Sequence, residues 1–148
     1  MKTALLYEEH DLRTFVVVLQ TGDEAMRAIE SFAREHHLRA SQFTAIGAFE
    51  RAVVGYFDWS SKQYLPIPID QQVEVLSMSG DITLEKQTHK LHAHVVVGKS
   101  DGTAHGGHLI AGHVRPTLEV MVTELPKHLY RRHDEESGIA LIDPFVNR

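Results

Sequence analysis

The sequence predicts an α+β fold: a compact antiparallel β-sheet of about seven strands with one main helix packed on it. One segment, from residue 24 onward, carries apolar residues at helical spacing. Most of the remaining chain is alternating or β-branched, as strands are, and the connections are short. The 148 residues, of which 43% are hydrophobic, suffice for one core. We therefore expect a single domain with its core at about 13–125 and a C-terminal tail at 126–148.

The first part of the chain contains a strand and the helix. Arg13–Gln20 (RTFVVVLQ) is β-branched and apolar, which predicts a strand. Thr21 or Asp23 is expected to cap the helix that follows, which extends from Glu24 to about His37. Two strands are predicted next, each containing a glycine of the kind that marks a bulge or a close backbone approach: Phe43–Phe49 and Arg51–Phe57.

The second half of the chain is predicted to be strands joined by turns. Pro66 and Pro68 restrict Tyr64–Ile69 to a sheet edge or an irregular link. Alternation in Gln72–Leu84 predicts Val73 and Val75 on one face, with Glu74, Leu76 and Met78 on the other. The remaining predicted strands are Leu91–Val97, His105–Ile110 and Thr117–Leu125, with a turn at Gly98–Gly102. The apolar residues of the tail either pack on a neighbour or fray.

Composition excludes several classes of function. The chain has no cysteine, which excludes disulfides, thiolate zinc sites and cysteine nucleophiles and is typical of a reducing compartment. Its net charge is −5, whereas most domains that bind duplex DNA carry a positively charged surface. No apolar run approaches the roughly 20 residues that span a bilayer, and the N-terminus turns acidic too early for a signal peptide. We expect a cytoplasmic protein.

Histidine is the unusual residue of this chain: there are eleven, and six of them lie between His89 and His113. His92 and His94 are two apart in a predicted strand, so both side chains project from one face, roughly 6–7 Å apart. The run His105-Gly-Gly-His108 begins the next strand, and a hairpin would bring His108 or His105 beside that pair. Such clustering predicts a divalent metal site at His92, His94 and His108.

Alternatives remain open for this site. Three imidazoles with an open fourth position are typical of catalytic zinc, but they also suit nickel, cobalt or iron(II). Any one histidine on a strand can instead be an ordinary hydrogen-bonding residue. Further ligands, or residues that orient the ligands, would come from five residues: His105, His113, Glu50, Glu74 and Glu119. The remaining histidines outside this region, together with the basic pair Arg131-Arg132, are interpreted as solvated surface.

The order of motifs resembles the plants-and-prokaryotes conserved (PPC) domain in its bacterial and archaeal form. The resemblance rests on Thr21-Gly22-Asp23-Glu24 before a helix, Ala45-Ile46-Gly47-Ala48, Glu74-Val75-Leu76-Ser77-Met78-Ser79-Gly80, Leu91-His92-Ala93-His94, Gly106-Gly107-His108-Leu109 and Thr117-Leu118-Glu119-Val120. It implies an antiparallel sheet with a helix, a homotrimer, and a metal held by the histidines at 92, 94 and 108. Plant members carry AT-hook motifs that bind DNA, and this chain has none.

Two functional hypotheses follow. The first is a stand-alone PPC-domain protein that forms a homotrimer, binds a divalent metal, most simply Zn²⁺, and has a regulatory role that could involve DNA. The alternative is a small metal-dependent enzyme, hydrolase-like, that uses the open coordination position on an unknown small molecule. Neither hypothesis involves a membrane.

Overall fold

The computed structural model describes residues 1–145, and within them the chain forms one helix and nine strands. The strands are β1 Lys2–Glu9, β2 Leu12–Gln20, β3 Ser41–Asp58, β4 Gln63–Ile69, β5 Val73–Glu85, β6 Thr88–Gly98, β7 Ala104–Glu124, β8 Tyr130–His133 and β9 Ala140–Asp143. The helix α1 is Ala25–Glu35. None of the helical structure in residues 1–145 is long and apolar enough to cross a membrane. The last three residues of the predicted tail lie outside the described part.

The prediction of about seven strands in an α+β fold is wrong in number, and the chain is mostly sheet with one short helix. Strand β1 and the tail strands β8 and β9 were not predicted as strands. Conversely, β3 and β7 each unite two predicted strands. Register shifts near Gly47 and Arg51 let these long strands bend and continue where the sequence suggests a break.

The sheet closes on itself through four strands. The order β1-β2-β7-β3-β5-β8-β9 is supplemented by β6, which pairs with both β5 and β7, so that β7, β3, β5 and β6 form a closed circuit. The proline-containing β4 pairs with β3. Strand β8 joins β5 in parallel at Leu84–Tyr130 and pairs antiparallel with β9. Closure at β6 and β7 places the histidine-rich segments side by side.

The helix begins as predicted near residue 24, but its N-cap differs from the prediction. Glu24, and neither Thr21 nor Asp23, accepts hydrogen bonds from the backbone N–H groups of Met26 and Arg27. Asp23 instead accepts one from the N–H of Gln20, in the turn before the helix. The buried face of the helix packs into the core cluster through Ala25, Ile29, Phe32 and Ala33.

A bulge in β5 changes which side chains face the core. The register between β5 and β6 shifts between Val75 and Ser77, so Leu76 is an extra residue on its strand. Met78 is therefore buried on the same face as Val73 and Val75, at 1% exposure, whereas Leu76 is 55% exposed. The predicted placement of Met78 on the face opposite Val73 is wrong, because uninterrupted alternation does not anticipate a bulge.

Candidate metal centre

The hairpin of β6 and β7 brings three histidines together. His94 lies directly opposite His108, and His92 precedes His94 by two residues on the same strand. The ring centroids are separated by 5.0 Å for His92–His94, 5.1 Å for His92–His108 and 5.6 Å for His94–His108. One ring nitrogen from each residue lies within 4.8 Å of the others. The three rings can therefore converge on one ion.

The two glycines before His108 allow the strands to approach closely. A Cβ atom on Gly107 would lie 2.7 Å from the carbonyl oxygen of Gly55, and one on Gly106 would lie 2.9 Å from that of Val95. Both distances are shorter than side chains tolerate, so a larger residue would push β7 away from β3 and β6. The glycines thus hold His108 in register with His94 through crowded packing of the sheet.

His108 has the surroundings of a neutral metal ligand. Its ring stacks on Tyr64 with centroids 4.3 Å apart, and its Nδ1 is buried without a hydrogen-bond partner. Burial, and to a smaller extent the neighbouring charges of His92 and His94, together lower the pKa of His108 to about 4. Burial, and then the charge of His92, also lowers the pKa of His94. Metal ions require deprotonated imidazole nitrogens, and these two rings are held in that form.

His92 is contacted at its Nδ1 by the ion pair of Asp81 and Arg131. Its Nδ1 lies 3.6 Å from Oδ2 of Asp81 and 3.3 Å from Nη2 of Arg131. Nη2 of Arg131 also donates to both carboxylate oxygens of Asp81, at 2.8 and 3.0 Å. Burial raises the pKa of Asp81, but its contacts with His92 and Arg131 outweigh this and lower it. The carboxylate is therefore ionised and able to orient the imidazole.

Sequence reasoning missed three residues at this centre: Asp81, Arg131 and Tyr64. Arg131 was predicted to be solvated, yet its side chain is 9% exposed because it bridges two strands and a carboxylate. Asp81 could have been found from the sequence. The tight Lys86-Gln87 turn between β5 and β6 fixes a register that pairs Asp81 with His92.

The other predicted site residues lie apart from the three histidines. His105 pairs across the hairpin with Val97, and His113 pairs with Arg51. Glu50 forms ion pairs with Arg115 at 3.1 Å and Arg51 at 3.8 Å. Glu119 is opposite Val18 and Ile46, and Glu74 is opposite Ala48 and Gly98. His36, interpreted as a surface residue, is partly buried, with its ring 4.3 Å from that of Phe32.

The family of this chain follows from its sequence profile. The profile of the Plants and Prokaryotes Conserved (PCC) domain matches residues 7–126. The chain belongs to the PCC-domain family. The matched range includes the helix, strands β2 to β7 and all three clustered histidines, so the resemblance read from the motifs is confirmed.

Solved structures share the PCC fold with this chain. A metal-containing protein from Archaeoglobus fulgidus is 36% identical, with a TM-score of 0.81 over 86% of this chain and 91% of that one. A candidate DNA-binding protein from Ralstonia eutropha JMP134 is 30% identical, with a TM-score of 0.82 over 87% and 90% of the two chains. A plant- and prokaryote-conserved protein from Pyrococcus horikoshii is 26% identical, with a TM-score of 0.84 over 96% and 94%.

A curated relative matches this PCC domain over a small part of its own length. The bifunctional protein GlmU of Synechococcus sp. (strain JA-3-3Ab) is 25% identical over 126 residues, which are 84% of this chain. The present chain spans only 19% of that protein. The similarity is confined to that part of the longer protein, and the activities of the whole protein are not assigned to this chain.

Proposed function

We propose that this PCC-domain protein binds one divalent metal ion per chain through His92, His94 and His108. The observation that carries the proposal is the convergence of one nitrogen from each ring within 4.8 Å. The buried Nδ1 of His108 has no hydrogen-bond partner, and such atoms are rare in folded proteins unless a ligand satisfies the ring. The 36% identical protein from Archaeoglobus fulgidus is named as metal-containing, which supports the proposal.

Zinc is the metal that we propose, with the fourth position open. Three neutral imidazoles are the ligand set of catalytic zinc sites, although the site also suits cobalt, nickel or iron(II). When bound, such an ion acts as a Lewis acid and lowers the pKa of water. Because Nδ1 of His92 faces Asp81 and Arg131, we assign its Nε2 to the ion.

Elemental analysis of purified, untagged protein tests this proposal. We expect about one transition-metal ion per chain in the wild type, and loss of most of it in His92→Ala, His94→Ala and His108→Ala, because two imidazoles bind far more weakly than three. His105→Ala is the matched control, since His105 lies in the same hairpin outside the cluster, and it should retain the metal. Equal metal content in all four variants, or no uptake by the wild type, would refute the assignment.

A metal-dependent, hydrolase-like enzyme is a second candidate function. The open coordination position and the cavity beside the histidines favour it. A hydrolase screen should then show an activity that disappears with a chelator and returns with the metal. An activity unaffected by metal removal would argue against this candidate.

DNA binding and trimer formation are further proposals that rest on relatives. The Ralstonia protein is named as a candidate DNA-binding protein. The net charge of −5 opposes phosphate binding unless a local basic patch exists. Absence of binding to A·T-rich duplex at low salt would remove the DNA proposal. The homotrimer is proposed from family resemblance, and a cytoplasmic location stays a prediction.

A further inference from the structure

A cavity of about 310 Å³ adjoins the three histidines. The three histidines line it, and so do Ile139, Ala140 and Leu141 of the tail. Phe57, Tyr64 and Leu91 add further apolar lining, and the charged side chains Glu85, Lys90 and Arg131 complete the lining. Ligand sites for small molecules typically start at about 300 Å³ and are lined mainly by apolar side chains. The cavity is therefore of a suitable size and character for a small organic molecule.

The tail hairpin, defined here as residues 130–143, is fixed beside the cavity by Arg131. Its Nε donates to Oγ1 of Thr83 at 3.0 Å, and its Nη1 donates to the carbonyl oxygen of Ala140 at 2.8 Å. The N–H of Leu84 also donates to the carbonyl oxygen of Leu129 at 3.0 Å. The tail hairpin lies outside the family match at 7–126. The wall that the tail hairpin contributes is therefore not described by the family profile.

The charges around the cavity favour an anionic ligand once the metal is bound. Three neutral imidazoles leave the charge of a divalent ion uncompensated. The nearby carboxylates already have cationic partners: Glu85 lies 3.2 Å from Nζ of Lys90, and Asp81 lies 2.8 Å from Nη2 of Arg131. Since opposite charges attract strongly in a partly buried site, an anion is favoured at the open position.

We propose that the cavity binds a small monocarboxylic acid whose carboxylate occupies the open metal position and whose apolar body packs against Leu91, Ile139 and Leu141. This inference rests on the metal site proposed above and names the ligand class of that site. The apolar wall selects against small hydrophilic acids, and the positive charge of the ion selects against neutral compounds of the same shape.

Benzoate, benzamide and acetate are the probes for this proposal, titrated into the full-length protein loaded with Co²⁺. The visible absorption of Co²⁺ reports ligation, and calorimetry reports affinity. We expect benzoate to bind at least about threefold more tightly than acetate, because the ring buries apolar surface. Benzamide, which has the same ring without the charge, should show no measurable binding. Equal affinities for benzoate and acetate would overturn the proposed apolar wall, and binding of benzamide as tight as that of benzoate would overturn the proposed anion preference.

Leu141→Gln and Ile142→Gln provide a matched pair for the wall. Both residues are similarly exposed, at 44% and 40%, but Leu141 lines the cavity and Ile142, its neighbour on β9, does not. We expect Leu141→Gln to remove most of the preference for benzoate over acetate and Ile142→Gln to preserve it. An unchanged preference in Leu141→Gln would overturn the role of the tail hairpin. Failure of the wild type to take up Co²⁺ would instead refute the metal site itself.

Discussion

At the scale of single residues, Arg131 is the least expected part of the centre. It contacts the Asp81 carboxylate and Nδ1 of His92. It therefore affects the proposed metal indirectly, by orienting the His92 ring. Outer contacts of this kind typically change metal affinity by about 10- to 100-fold. We therefore expect Arg131→Met to weaken metal binding by at least about tenfold, as measured by competition with a chelator.

Arg132→Met is the control for this prediction. Arg132 is the next residue of β8, is 71% exposed and pairs with Asp143 at 3.3 Å within the tail hairpin. Arg132→Met should leave the metal affinity unchanged. Arg131→Lys should bind the metal more tightly than Arg131→Met does, because it keeps a positive charge beside Asp81. If Arg131→Met lowers the free energy of unfolding but not metal affinity, Arg131 only holds the tail in place.

Sequence alone predicted that His92, His94 and His108 lie together, because the two-residue period of a strand and one turn suffice to bring them together. It did not predict Arg131, which lies 50 positions from Asp81 and reaches it only through the parallel contact of β8 with β5. Local patterns carry no information about such a pairing. The sequence also did not exclude Glu50, Glu74 or Glu119, whose strand partners depend on the bulges.

At the scale of elements, the helix depends on an atypical cap. The Glu24 carboxylate accepts hydrogen bonds from Met26 N at 3.2 Å, from Arg27 N at 3.0 Å and from Gly112 N of β7 at 3.0 Å. Removing a cap typically costs about 0.5–2 kcal/mol. Since Glu24 also ties the helix to β7, we expect Glu24→Ala to lower the free energy of unfolding by about 1–2 kcal/mol in urea denaturation.

Glu30→Ala provides the comparison within the same helix. Glu30 pairs with Arg34 at 3.3 Å on the exposed face, a contact worth about 0.3–0.5 kcal/mol. A loss in Glu24→Ala no larger than that in Glu30→Ala would contradict the capping role. The apolar period predicted the helix but not its cap, because glutamate is not among the residues that usually cap helices.

At the scale of the whole molecule, we expect three chains per particle in light scattering. Large apolar side chains lie on the outer surface of the sheet, including Ile46 at 60% and Leu76 at 55% exposure, and burial of such groups is a common basis of assembly. The proposed metal site is complete within one chain, so the trimer should persist after the metal is removed. A mass of one chain at micromolar concentration would contradict the trimer. Dissociation on chelation would instead place the metal between subunits.

The short sequence distance between the clustered histidines has a consequence for the order of folding. All three lie in the hairpin of β6 and β7, whose turn closes a short loop at little entropic cost. Arg131 comes later in the chain and requires β5 to be in place before β8 can dock. We therefore expect the proposed ion to bind weakly at first and more tightly later, because the three histidines can meet in their hairpin before the segment that carries Arg131 has docked on β5.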